Sequence, residues 1–123
     1  MKGVSLRELT AEELVGRFVE IGLAQDKALL YDEIARFNRL FDQMQAIVQE
    51  LKNRPGDQRH ALFKLYDHPN LQVRLKAATN SLALAPEEGR LVLQAIADSG
   101  DNPQAGDAGM TLWALDEGIF KPT

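Results

Sequence analysis

The sequence predicts an all-α fold laid out as a stack of short helices, and three observations carry that prediction. Prolines are absent from the first fifty-four residues and then stand at Pro55, Pro69, Pro86, Pro103 and Pro122, with gaps of 14 to 19 residues. Proline is tolerated in the first turn of a helix and disruptive inside one, so this spacing punctuates helices about three to four turns long. No period-two run of β-branched residues and no Asn-Gly or Asp-Gly hairpin signal occurs. The segment after Pro69 is apolar on two opposite sides, as an interior member of a stack must be.

Composition narrows the class. The 123 residues suit one domain, 45% are apolar and 26% charged, and the formal charge is -4. A net acidic chain carries no electrostatic footprint for a phosphate backbone, so nucleic acid is not expected as a ligand. The absence of cysteine removes disulfides, thiolate zinc sites and a cysteine nucleophile. The start, Met1 to Glu8, lacks an apolar signal core and no run approaches a membrane span, so a cytoplasmic protein with no membrane partner is expected.

The first helix begins at Thr10-Ala11-Glu12-Glu13, which has capping-box spacing ahead of Leu14, Phe18 and Ile21. Gly16 and Gly22 inside it suggest close approach of another helix. Gln25 to Tyr31 holds no breaker, leaving open whether the helix ends there, and Asp32 is placed to cap a second helix. In that helix Ile34, Phe37, Phe41, Met44, Val48 and Leu51 alternate gaps of three and four. Leu40 and Ile47 widen the stripe beyond a coiled-coil seam, so it reads as facing a core. These N-terminal helices occupy residues 10–53.

Pro55-Gly56 breaks the pattern and Asp57 is placed to cap a helix through Ala61, Leu62 and Leu65 to Tyr66. Asp67-His68-Pro69-Asn70 is a turn. Beyond it Leu71, Leu75, Ala78 and Leu82 share one helical face, and Val73, Ala77 and Leu84 the other. Pro86 starts a further helix, with Glu87 and Glu88 in its first turn and Leu91, Leu93, Ala95 and Ile96 available for burial. It stops at Ser99-Gly100-Asp101-Asn102. Asp107 is placed to cap the last helix, which holds Met110, Leu112, Trp113 and Leu115. Gly118 ends it, with Ile119 expected to pack on its last turn.

Asp67-x-Pro69-x-x-x-Val73-Arg74-x-x-Ala77-Ala78-x-x-x-Leu82 resembles the core of a HEAT-type repeat, in which the aspartate and proline shape the inter-helix turn. With the tail Gly109 to Gly118, the segment 57–120 is similar to a family of small bacterial HEAT-like proteins known only as a domain of unknown function. The resemblance implies an α-α superhelix of about five to six helices, one domain over 1–123, and supplies no catalytic residue.

No constellation for catalysis stands out. His60 and His68 lack the i, i+4 arrangement of a helical metal pair, and Asp57, Asp67 and His68 read as turn and cap residues in preference to metal ligands. The acidic residues of the last third have no nucleophile beside them. Arg74 reads first as structural, making a salt bridge or hydrogen bonds to carbonyls of the adjacent helix with its stem packed on apolar surface, and Trp113, the sole tryptophan, first as a core residue. Should the chain bind a partner, the candidate surface is Arg74, Asp98, Asp101, Asp107, Trp113, Asp116 and Glu117.

The expected role is therefore a protein-interaction module without catalysis and without cofactor or metal, engaging a protein partner through a repeat surface. Three alternatives accompany it: an immunity-like inhibitor covering a basic toxin, a homo-oligomeric structural protein, and, with least support, a DNA-repair enzyme of HEAT-like fold.

Overall fold

The computed structural model describes residues 5–123; of the opening residues read as lacking a signal core, Met1 to Val4 lie outside it. Among the described residues the regular elements are five α-helices and two short 3-10 segments, Leu6–Glu8 and Gln58–Leu65, with no strand. No helix among them is long and apolar enough to cross a membrane. The chain forms two compact units that divide between Ala61 and Leu62.

In the first unit α1 (Ala11–Leu30) packs against α2 (Ile34–Asn53). The capping box forms as its spacing predicts: Glu13 N–H donates to Thr10 Oγ1 at 3.0 Å, and Thr10 N–H donates to Glu13 Oε1 at 2.9 Å. The backbone and hydroxyl hydrogen bonds of Thr10 hold the Glu13 carboxyl below its ordinary range. α1 runs on through Gln25 to Leu30.

Asp32 does not cap α2. The connection is so short that Asp32 takes a left-handed φ of 56° and Glu33 becomes the N-cap residue, without a side-chain bond. Gly16 is exposed and a methyl there would meet nothing within 4 Å, so the close approach expected at that position does not occur; Gly22 is buried. The apolar stripe of α2 is covered over only half its length. Met44, Ile47, Val48 and Leu51 are buried, while Ile34 and Phe41 remain 66% and 41% exposed. Arg54 ties the end of α2 to the first 3-10 segment, donating through Nη2 to the carbonyls of Leu6 and Leu9 and through Nε to Glu50.

Gly56 and Asp57 both adopt positive φ, 81° and 50°. Asp57 then acts as a cap: Oδ1 accepts from Arg59 N and Nε, and Oδ2 from Arg59 Nη2 at 2.7 Å. The capped element is the eight-residue 3-10 segment Gln58–Leu65 in place of the expected α-helix, a long run for this tighter form.

The second unit contains α3 (Leu71–Asn80), α4 (Pro86–Ser99) and α5 (Gln104–Asp116), each packed on the other two. Asn70 Oδ1 accepts from Val73 N–H to start α3, and His68 Nδ1 accepts from Asn70 N–H inside the preceding turn. Leu75, Ala78, Leu82, Leu93, Ile96 and Ala108 form the core, with Tyr66, Leu112, Leu115 and Phe120 against it. Leu75 and Ala78 on one face of α3 and Val73 and Ala77 on the other are buried as predicted, but the helix ends at Asn80, so Leu82 and Leu84 lie in the turn beyond it, where Leu82 is buried and Leu84 is 38% exposed. On α4 only the stripe Gly89, Leu93 and Ile96 is buried. Leu91, about 160° around the helix from Leu93, is 72% exposed and Ala95 is exposed too, against expectation.

α5 starts three residues before Asp107, so that residue lies within the first turn and not at the cap; Asn102 Oδ1 serves the helix start by accepting from Gly106 N–H. At the other end Gly118, φ 72°, closes a Schellman motif: its N–H donates to Leu115 O and that of Ile119 to Ala114 O. Ile119 itself is exposed, and Phe120 packs on the core instead.

Candidate interaction surface on the α4–α5 hairpin

The buried stripe of α5 is Gln104, Ala105 and Ala108, extended by the half-buried Leu112 and Leu115. At 100° per residue Trp113 lies roughly 140° from Ala108, which turns it outward. It is 51% exposed and Met110 is 64% exposed, so the expectation of a core tryptophan is overturned. Gly106, Gly109, Met110 and Trp113 stand at i, i+3, i+4 and i+7, one outward helical face. The glycines make that face low beside the indole: a methyl on Gly109 would meet nothing within 4 Å, and one on Gly106 only Asn102 Oδ1 at 3.3 Å.

Charge frames the face. From Pro86 to Glu117 the sequence has seven carboxylates and Arg90 as its one cation, a net -6 within a chain of -4. Arg90 Nη2 donates to Asp116 Oδ1, which sets the first turns of α4, with Glu87 and Glu88, beside the last turn of α5. Asp116 and Glu117 follow Trp113 at i+3 and i+4 and flank it. Asp98, Asp101 and Asp107 collect at the opposite end of the hairpin, where Asp98 accepts from Gln94 Nε2. Arg74 does not join them. Its Nε donates to His68 O at 3.0 Å, the structural role expected of it, although the carbonyl belongs to its own turn.

Clefts among the described residues lie apart from this face. One of about 480 Å³ in the first unit is lined by Leu6, Arg17, Glu20, Ile21, Gln43, Ala46 and Ile47, a set without histidine, hydroxyl or thiol. One of about 270 Å³ in the second unit holds Phe63, Tyr66, Leu84, Ala85 and Glu88. There Ser81 Oγ donates to Ala77 O, so Tyr66 Oη donates to Ser81 Oγ at 2.6 Å. Burial, reinforced by the Glu88 charge, pushes the phenol upward despite that bond, so it stays neutral. Among the described residues no group of three or more His, Asp or Glu side chains is gathered to hold a metal ion.

Sequence reading missed Gly106, Gly109 and Met110 as surface residues, although their spacing from Trp113 carried the signal. A family model described as a domain of unknown function, DUF2019, matches residues 12–116. The chain belongs to this family. As a DUF2019 protein it is similar in structure to the protein RPA1889 from Rhodopseudomonas palustris CGA009, whose crystal structure matches with a TM-score of 0.94 at 51% identity, over 98% of this chain and 100% of that one. No curated protein matches it.

Proposed function

We propose that this DUF2019 protein is a non-catalytic interaction module that binds a basic protein partner through the outward face of α5. One observation carries the reading: Trp113 and Met110 are exposed beside a glycine strip inside a segment of net charge -6. Tryptophan is the residue most enriched at interface hot spots, and a strip without β-carbons admits a partner's backbone or a flat side chain close to the helix. Carboxylates at both ends of the hairpin would steer a cationic partner and fix its register. The concentration of negative charge favours one specific version, an immunity-like protein that inhibits a basic toxin by occupying its surface. The same charge opposes the DNA-repair reading, since it would repel a phosphate backbone.

The test is a pull-down of the tagged protein from lysate of its own organism at about 50 mM and about 500 mM salt. A stoichiometric basic protein recovered at low salt, lost at high salt and lost with Trp113→Ala supports the reading. Recovery unaffected by Trp113→Ala removes α5 as the site.

A further inference from the structure

A different surface, at the closed end of the α1–α2 hairpin, has the properties of a contact between two copies of the chain. The apolar stripe of α2 continues toward the start of the helix through the exposed Phe41, the half-buried Phe37 and the exposed Ile34, and Leu30 and Tyr31 at the end of α1 precede Ile34 by four and three residues. Leu30 is 75% exposed, Tyr31 67% and Ile34 66%. A shallow depression of about 90 Å³ at this end of the hairpin is lined by Ala28, Leu29, Asp32, Glu33, Ile34 and Phe37.

Area and charge identify the occupant. Aromatic side chains present about 150–250 Å² each, so the exposed parts of Leu30, Tyr31, Ile34 and Phe41 amount to roughly 500 Å². A standard interface takes about 800 Å² per partner, and homodimer interfaces are about 65% apolar, which asks for that same amount. The charged residues of the stretch 26–42 are of both signs: Lys27, Arg36 and Arg39 against Asp26, Asp32, Glu33 and Asp42. Arg36 pairs with Glu33 within the chain at 3.4 Å. A two-fold contact sets a patch against itself, so a near-neutral mixed surface can match cation to anion, whereas a strongly basic partner or an anionic membrane would be matched by one sign.

We propose that this patch is a self-association surface, covered by the same patch of a second copy in an isologous dimer. The contact uses no residue of the α5 face, and its failure leaves the basic-partner reading untouched. Sedimentation equilibrium from about 1 μM to about 1 mM should show a reversible monomer–dimer transition. Ile34→Glu should weaken it about tenfold or more. The substitution is at an exposed first helical position where a carboxylate suits the helix dipole, so folding is retained, as circular dichroism will verify. Leu91→Glu, equally exposed on α4, should leave the transition in place. A monomer at every concentration overturns the proposal, as does a dimer indifferent to Ile34→Glu. So does a monomer that co-sediments with phosphatidylglycerol vesicles and loses that binding with Ile34→Glu, since the patch would then belong to a lipid surface.

Discussion

Gln104 Nε2 donates to Gln72 Oε1 at 3.0 Å, and the two side chains, 5% and 2% exposed, join α3 to α5 inside the second unit. Truncating either one strands part of a buried amide, which costs about 1–3 kcal/mol. Gln72→Ala and Gln104→Ala should each destabilise by that order. In a double-mutant cycle followed by urea denaturation they should show coupling of about 0.5 kcal/mol or more. Strict additivity would mean that the bond contributes nothing to the joint.

Asp57 and Arg59 predict a pH dependence. The hydrogen bonds from the Arg59 side chain hold the Asp57 carboxyl below its ordinary value, with further help from the Arg59 backbone. A depressed folded-state value gives stability that is complete at neutral pH and withdrawn as pH falls through the carboxylate range. Asp57→Asn keeps a residue tolerant of the left-handed φ but loses the charge, and should cost about 1–2 kcal/mol at neutral pH. That deficit should shrink near pH 3, and a deficit equal at both pH values would refute the assignment.

Gly89 lets α4 lie close to α3. A methyl group there would sit 2.5 Å from Leu82 Cδ1, a side chain only 2% exposed. Gly89→Ala should therefore destabilise by about 1–2 kcal/mol, even though alanine is the better helix former by about 1 kcal/mol. A rise in melting temperature would show that Leu82 moves aside freely.

Arg74→Ala should lower the melting temperature, because it releases the bond to His68 O, a loss of about 1 kcal/mol. An unchanged melting temperature with lost partner binding would give Arg74 to the partner.

Trp113 makes its own report. As the sole tryptophan and half-exposed, it should be quenched by iodide in the folded protein, and saturation with the partner should protect it. Resistance to iodide in the free protein would contradict its outward placement.

Local chemistry was the legible part of this chain. Thr10 and Glu13, the turn from Asp67 to Asn70, Pro86 and Gly118 act within four residues of themselves, so their partners are written beside them. Element ends were harder where two signals competed: Asp107 is a good capping residue, yet Pro103 and Asn102 start the helix earlier. Side-chain exposure was least legible. Leu91, Met110, Trp113 and Ile34 are apolar residues on amphipathic helices, and which apolar positions a helix buries depends on neighbours that periodicity alone does not name. The pairing of Gln72 with Gln104 spans 32 positions and has no local signature.

The Schellman turn also decides where the second unit can be cut. The family match stops at Asp116, but Gly118 carries the chain around so that Phe120 packs against the core of the second unit. A fragment trimmed to the matched boundary would discard an aromatic plug and open the hydrophobic base it covers, inviting aggregation. Expression fragments and C-terminal fusions should therefore begin their foreign sequence after Phe120.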